Sequence, residues 1–319
     1  MMVAVDILAM LVGFFFLVWG SDRFVIGAAV AARQLGISSF IIGLTVVAFC
    51  TSMPEILVSV TAVLSDNSGM AIGNALGSNI ANIALVLGVS AIMYPMIVHR
   101  NILKREMPIL FIIMLLLLGL MYDGSITRLD GGLLLLAMFL TFSWLIYLAK
   151  KKPIAALKPE EVDTDNISMG HAAWLFVLGL VVLMMGAKIV VWGSVNIAQL
   201  LGVSDLVIGL TIVALGTSLP ELAASIASVR KGESDMALGN IIGSNLFNMV
   251  AVLGIPALIA PLYVGAEVLY RDYSFMVVLT VLLVLMAIGR GDHGTIYRWK
   301  GVVLFVLYLC YQVFLYVSA

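Results

Sequence analysis

Charge is what this chain lacks most. Asp, Glu, Lys and Arg make up only 11% of the 319 residues, whereas 63% are hydrophobic. Soluble domains carry about 25% charged residues, so the composition excludes an ordinary water-soluble domain and places the chain in a lipid bilayer. The net charge of -1, without a basic patch, gives no support for nucleic-acid binding.

Cysteine and histidine are also scarce. The two cysteines, Cys50 and Cys310, lie inside apolar segments, and their spacing fits neither a disulfide framework nor a metal motif. The three histidines, His99, His171 and His293, fall in loops or at the ends of apolar segments. The sequence therefore predicts no prosthetic group and no metal site made of thiolates or imidazoles.

Long apolar runs are what the chain does have. Several reach the roughly 20 residues that a membrane-spanning helix needs. The first run begins at the N-terminus without a basic region before it, which predicts a first span and not a cleaved signal. Ten helices are predicted, near residues 4–30, 38–64, 70–94, 105–121, 131–149, 171–196, 204–229, 236–260, 272–289 and 299–318.

One polar signature occurs twice. The first copy reads GLTVVAFCTSMPE over residues 43–55 and GNALGSNIAN over 73–82; the second reads GLTIVALGTSLPE over 209–221 and GNIIGSNLFN over 239–248. All matched positions are related by one constant offset in residue number, the one that leads from Glu55 to Glu221, and we call it the repeat offset. The match runs without a gap over positions 20–95 of the first copy and 186–261 of the second. The chain is therefore interpreted as a duplicated unit.

The duplication predicts the topology. Residues 1–149 and 171–319 would each hold five spans, joined by a polar linker over 150–170. Five is odd, so the second half enters the membrane in the opposite direction. Thirteen lysines and arginines fall in one set of loops and two in the other, which predicts a cytoplasmic linker and both termini outside. The predicted fold is an all-α polytopic membrane protein of ten transmembrane helices, arranged as two inverted five-helix repeats.

Two acidic side chains fall near the centres of spans two and seven, Glu55 and Glu221. A carboxylate at that depth costs about 2.5–3.5 kcal/mol on insertion scales, so it indicates a functional site. The other charges assigned to the membrane interior, Asp22, Arg23 and Lys188, follow no duplicated pattern.

Each glutamate follows a proline, which lacks a backbone donor and loosens the helix one turn earlier. The carbonyl groups released there can face a cation. Hydroxyl side chains precede each proline, with the threonines one turn before the glutamates on the same face. These hydroxyl residues are Thr51, Ser52, Thr217 and Ser218.

Spans three and eight each carry three polar residues at spacings of four, which places each trio on one helical face. The trios are Asn74, Ser78 and Asn82, and Asn240, Ser244 and Asn248. Ligand roles are favoured for the serines and for Asn82 and Asn248. The neighbouring glycines fit close helix packing and a functional role equally well.

Together these groups offer two carboxylates and neutral oxygens, without a thiolate or an imidazole. Oxygen ligands select hard cations, and flexible six- to eight-fold coordination favours calcium over magnesium. Two glutamates neutralise one divalent ion, and the same carboxylates can hold sodium ions or protons.

The motifs Thr-Ser-x-Pro-Glu and Gly-Asn-x-x-Gly-Ser-Asn closely resemble the alpha repeats of the cation/calcium antiporter superfamily, particularly prokaryotic sodium/calcium exchangers. The resemblance covers essentially the whole chain. It implies a secondary active antiporter of a prokaryotic inner membrane, not an enzyme, with inorganic cations and the bilayer as its partners and no obligatory protein partner. Spans one and six would then slide to open the site alternately to each side.

The resemblance also implies the ion ligands. The glutamates would bind calcium, while hydroxyl and carbonyl groups would bind sodium. Carried over position by position, the ligands are Ala48, Thr51, Ser52, Glu55, Ser78 and Asn82, and Ala214, Thr217, Ser218, Glu221, Ser244 and Asn248.

Two departures from the family pattern affect the function. Asn248 stands where sodium/calcium exchangers usually have an aspartate, so exchange of calcium for protons is the alternative to exchange for sodium. Cys50 stands where the second repeat has Gly216.

A hydrolase that used Glu55 and Glu221 as an acid/base pair is a third hypothesis. The sequence offers it no paired nucleophile, and the repeat gives the two carboxyl groups equivalent surroundings, whereas an acid and a base need different ones.

Overall fold

The computed structural model describes residues 2–151, 167–202, 212–289 and 293–318, and within these ranges the chain is mainly helical. The helices of the first half are α1 (Met2–Gln34), α2 (Ser39–Ile42), a π-helical turn (Gly43–Val47), α3 (Ala48–Thr51), α4 (Met53–Leu64), α5 (Ser68–Ala81), a π-helical turn (Asn82–Val86), α6 (Leu87–Met93), α7 (Arg100–Met121) and α8 (Arg128–Lys151). Those of the second half are α9 (Met169–Leu200), α10 (Ala214–Thr217), α11 (Leu219–Arg230), α12 (Ser234–Phe247), a π-helical turn (Asn248–Val252), α13 (Gly254–Ile259), a π-helical turn (Val268–Tyr273), α14 (Ser274–Ala287) and α15 (Arg298–Ser318).

Eight helical segments within the described ranges are long and apolar enough to cross a membrane. They are Val3–Gln34, Ser39–Leu64, Ser68–Met93, Arg128–Tyr147, Met169–Leu200, Ser234–Ile259, Val268–Ala287 and Arg298–Val317. The predicted span over 105–121 lies in α7, which is not among the eight and whose first turns carry four charged residues. The predicted span over 204–229 falls partly outside the described residues.

Four short strands join the two halves of the chain. Strand β1 (Met96–His99) pairs antiparallel with β4 (His293–Ile296), and β2 (Ser125–Ile126) pairs antiparallel with β3 (Leu262–Tyr263). The all-α prediction did not include them, because segments of two to four residues are too short to show a strand periodicity. Their stability comes from a partner in the other half of the sequence, which local patterns do not indicate.

The two helices that carry the duplicated Pro-Glu pairs are interrupted just before the proline. In the first half, α3 ends at Thr51 and α4 begins at Met53, with Pro54 in its first turn. In the second half, Ser218 separates α10 from α11, and Pro220 lies in the first turn of α11. The predicted loosening of the helix at each proline is thus confirmed, and it is confined to one residue in each half, Ser52 (φ -83°, ψ 5°) and Ser218 (φ -87°, ψ 1°).

The two longest helices, α1 and α9, pack against each other through glycines. A Cβ atom added to Gly20 would lie 2.5 Å from the backbone nitrogen of Leu183, and one added to Gly186 would lie 2.7 Å from that of Leu17. The contacts run in opposite order along the two helices, so the pair is antiparallel. Backbones this close leave no room for a methyl group, and α1 and α9 therefore form one tightly packed unit.

We expect Gly20→Ala to destabilise the protein by about 1–3 kcal/mol, because the new methyl group overlaps the backbone of α9. Gly170→Ala is the matched control, since it places a methyl group in α9 where no atom lies within 4 Å. Thermal unfolding in detergent measures both variants. A melting temperature that falls for Gly20→Ala but not for Gly170→Ala supports the packing; equal values contradict it.

Candidate cation-binding site

The two glutamates predicted to form the site come together in the structure. Glu55 lies in the first turn of α4 and Glu221 in the first turn of α11, and each residue is 1% exposed. Their carboxyl groups are close enough for their charges to act on each other. Because each glutamate lies in the first turn of its helix, the partial positive charge of the unpaired backbone N–H groups there favours the carboxylate.

Hydroxyl groups from each half of the chain contact the carboxylate of the other half. The Ser52 hydroxyl donates to Oε1 of Glu221 at 3.3 Å. The Thr51 hydroxyl bonds the same carboxylate, and the Thr217 hydroxyl bonds the carboxylate of Glu55. The break before Pro54 thus places Thr51 and Ser52 against Glu221, and the break before Pro220 places Thr217 against Glu55.

Two asparagines hold the backbone of the glutamates in place. The side-chain amide of Asn74 donates to the carbonyl oxygen of Glu55 at 3.0 Å, and that of Asn240 donates to the carbonyl oxygen of Glu221 at 3.4 Å. The hydroxyl of Thr51 donates to Oδ1 of Asn240 at 3.1 Å. Asn240 therefore bonds to both halves of the chain, and the two asparagines position the glutamates.

The other predicted polar residues are also buried in this region. Asn82 and Asn248 each begin a π-helical turn, one directly after α5 and the other directly after α12. Ser78 and Ser244 lie one turn earlier in these helices and are buried as well. A π-helical turn widens the helix locally and is frequent at functional sites.

Several buried polar atoms of these residues have no hydrogen-bond partner among the described residues, although buried polar groups in proteins are almost always paired. They are Oε2 of Glu55, Oε2 of Glu221, Oγ of Ser218, Oγ of Ser244, Oδ1 and Nδ2 of Asn82, and Oδ1 of Asn248. All but one are oxygens, and oxygens without donors are what a hard cation requires as ligands.

The two alanines implied by the resemblance contribute only backbone oxygens. The carbonyl oxygen of Ala48 accepts a hydrogen bond from the backbone N–H of Ser52 at 3.0 Å. The Thr51 hydroxyl also lies 3.3 Å from it, but its single hydrogen can serve only one of Ala48, Asn240 and Glu221 at a time. A cation at the Ala48 carbonyl would therefore share it with at least one protein donor. Ala214 is the first residue of α10, and its side chain lies outside what the structure describes.

Glycines of the second motif have a packing role. A Cβ atom on Gly243 would lie 2.7 Å from the Cβ atom of Ala48, and one on Gly239 would lie 2.8 Å from the backbone nitrogen of Leu44. These glycines let α12 lie directly against the segment that precedes the first glutamate. The sequence left packing and function open for the glycines, and for these two the structure shows packing.

The charge content of the site is low for a metal centre. Among the described residues, no three or more side chains of His, Cys, Asp and Glu come together in a group that could hold a metal ion. The two carboxylates are therefore surrounded by neutral hydroxyl and amide groups. Such a site can compensate the charge of one divalent or two monovalent cations.

Glu106 is a buried acid that the sequence analysis did not single out. It lies in α7 with no exposed surface, and neither carboxylate oxygen has a hydrogen-bond partner among the described residues. The nearest cation is Arg105, whose Nε lies 3.9 Å from Oε1. Glu106 is outside the group formed by Glu55 and Glu221.

A signal for Glu106 was present in the repeat. An Arg-acid pair occurs at 105–106, and the repeat offset leads from it to a second pair, Arg271 and Asp272. In the second pair, Arg271 Nε donates to Asp272 Oδ1 at 2.7 Å, and the Tyr311 hydroxyl donates to the same oxygen at 2.9 Å. The pairs lie beyond the ungapped part of the duplication, where the repeat offset was not followed.

Two facing carboxylates with free oxygens, buried in a bundle of membrane-length helices, define an integral membrane protein that transports cations. Comparison with known proteins identifies the group more closely. The family model described as "Sodium/calcium exchanger protein" matches residues 5–148 and 171–317. The chain belongs to the sodium/calcium exchanger family.

Relatives cover nearly the full length of the chain. A putative antiporter, CaxA, from Alkalimonas amylolytica is 44% identical over 97% of this chain and 98% of its own. The sodium/calcium exchanger MaX1 from Methanosarcina acetivorans is 34% identical over 99% of both chains. Among solved structures, the sodium-calcium exchanger NCX_Mj, soaked with Na⁺ and Sr²⁺, is 35% identical, with a TM-score of 0.83 over 97% of this chain and 98% of its own.

The family places the chain among cation/calcium antiporters of the membrane and not among enzymes. The hydrolase hypothesis therefore has no support from the relatives.

Proposed function

We propose that the protein exchanges Ca²⁺ for Na⁺ across the membrane at a site between Glu55 and Glu221. The observation that carries this proposal is the pair of fully buried carboxylates that act on each other, each with one oxygen that lacks a donor. Two like charges in a low-dielectric interior repel strongly, and one calcium ion between them removes that repulsion. Sodium ions would replace calcium at the same oxygens.

The proposed ligands divide by charge. Glu55 and Glu221 supply the carboxylates for calcium. Neutral oxygens complete the coordination of calcium and bind sodium when calcium leaves. These neutral ligands are the hydroxyl groups of Thr51, Ser52, Ser78, Thr217, Ser218 and Ser244, the side-chain carbonyl groups of Asn82 and Asn248, and the backbone carbonyl groups of Ala48 and Ala214.

We infer an architecture of two inverted five-helix repeats, residues 1–149 and 171–319, joined by a cytoplasmic linker over 150–170. The bond from Asn74 to Glu55 has its counterpart, at the repeat offset, in the bond from Asn240 to Glu221, which supports equivalent roles for the two halves. The excess of lysine and arginine in one set of loops supports a location of both termini outside. Ten spans in a prokaryotic inner membrane are what the resemblance to prokaryotic exchangers implies.

Access to the site would alternate between the two sides of the membrane through movement of α1 and α9. Their close backbone contact favours movement as one unit. The glutamates lie in a core formed by α3, α4, α10 and α11. Hydrogen bonds between the two halves of the chain, such as that from Ser52 to Glu221, hold this core together. A shift of the α1–α9 pair along this core would open one face of the site as it closes the other.

We expect Glu55→Gln and Glu221→Gln each to lower calcium flux about tenfold or more, because either change leaves one carboxylate to hold a divalent ion. The measurement is uptake of ⁴⁵Ca²⁺ into proteoliposomes loaded with sodium. Glu106→Gln is the matched control: it removes a carboxylate of similar burial outside the site and should retain exchange. Equal flux in all three variants and the unchanged protein would contradict the proposal.

Exchange of calcium for protons is the alternative, and the side chain of Asn248 favours it. This residue is buried, and its Oδ1 lacks a donor where related exchangers usually carry an aspartate. With two carboxylates in place of three, two protons could balance one calcium ion.

Replacement of sodium by choline at a fixed proton gradient distinguishes the two couplings. We expect calcium uptake to fall to the level of protein-free liposomes, since choline is too large to bind between the carboxylates. Uptake that persists in choline and collapses when a protonophore is added would favour the proton alternative. Uptake that depends on neither gradient would contradict antiport of either kind.

A further inference from the structure

Charged side chains join α1 to the loop between α11 and α12. Nη2 of Arg230, at the end of α11, donates to both carboxylate oxygens of Asp22 at 2.6 Å, and Nζ of Lys231 lies 3.5 Å from Oδ1 of the same carboxylate. Farther along α1, Nη2 of Arg33 lies 3.1 Å from Oε1 of Glu233. We name these five residues the α1 ion-pair cluster.

The α1 ion-pair cluster has no equivalent in the repeat. The repeat offset pairs Asp22 with Lys188, and it pairs Arg230 and Lys231 with Leu64 and Ser65. Leu64 and Ser65 carry no charge, and Lys188 takes part in none of the ion pairs among the described residues. The cluster therefore fastens the α1–α9 pair to the core on one side of the duplicated structure only.

The bonds of the cluster cross the surface along which α1 would move. Asp22 and Arg33 belong to α1, whereas the other three residues belong to the core that carries Glu221 through α11. A contact at hydrogen-bond distance is lost after a shift of a few ångströms, less than one helical turn. Movement of α1 past α11 must therefore break the bidentate contact between Arg230 and Asp22.

We propose that the α1 ion-pair cluster stabilises one of the two facing conformations and so sets the balance between them. Its members are positioning residues, because they act on ion access and do not contact the ions. This inference rests on the proposed exchange mechanism. The duplicated residues around the glutamates would give the two facing conformations similar free energies, and the α1 ion-pair cluster would stabilise one of them.

The proposal predicts opposite effects on the two faces of the membrane. If one conformation loses the contact, the population shifts to the other, so the apparent KM for calcium rises on one face and falls on the other. The carboxylate of Asp22 is 25% exposed and Arg230 43% exposed. Partly exposed pairs are weak, so we expect a change of about two- to fivefold on each face.

The test uses Asp22→Asn, Arg230→Gln and the double variant in proteoliposomes, with calcium supplied first to one face and then to the other. The two single variants should shift the KM values in the same direction on each face, and the double variant should shift them no further than Asp22→Asn, because that change alone already removes the contacts of Asp22 with Arg230 and Lys231. Lys188→Gln, at the equivalent position of α9, is the control and should leave both KM values unchanged. Arg33→Gln tests the second ion pair if Asp22→Asn does not fold.

Opposite KM shifts, no larger in the double variant than in Asp22→Asn, establish the proposal. Unchanged KM values, or values that move in the same direction on both faces, overturn it. If instead the proposed exchange function were wrong, the unchanged protein itself would show no gradient-dependent calcium flux. That result is distinct from unchanged KM values in the variants.

Discussion

Repulsion between two buried carboxylates is the constraint on which the site depends. Glu55 and Glu221 come together in a region that excludes water, and their charges act on each other there. The helix termini and the hydroxyl groups of Thr51, Ser52 and Thr217 offset part of that cost. In the proposed mechanism, bound cations balance the remainder.

The backbone around the site follows from the same constraint. The interruption before each proline lies beside the hydroxyl groups of Ser52 and Thr217, which contact the glutamate of the opposite half. Gly239 and Gly243 let α12 lie against α2 and α3, so the two halves share one buried polar region. The glycines of α1 and α9 have a separate packing role, since they let these two long helices pack closely as one unit.

The sequence predicts much of this arrangement because the important residues occur twice. Glu55 and Glu221, the breaks before the prolines and the polar residues of α5 and α12 were all found from the single repeat offset. The short strands were missed because each needs a partner from the other half of the chain. The α1 ion-pair cluster was missed because a repeat shows what the two halves share, whereas the contact between Arg230 and Asp22 joins the halves at positions that have no matching pair. Glu106 was missed although a counterpart exists at the repeat offset, because that pair lies beyond the ungapped part of the duplication.

A crystal structure of the protein with Sr²⁺ in place of Ca²⁺ tests the central claim most directly, because the anomalous signal of strontium locates the ion. The account predicts one strong peak between the carboxylates, at a distance of about 2.3–2.6 Å or slightly more from an oxygen of each. A peak bound by only one of the two glutamates, or a peak at Glu106 with none between Glu55 and Glu221, would contradict it.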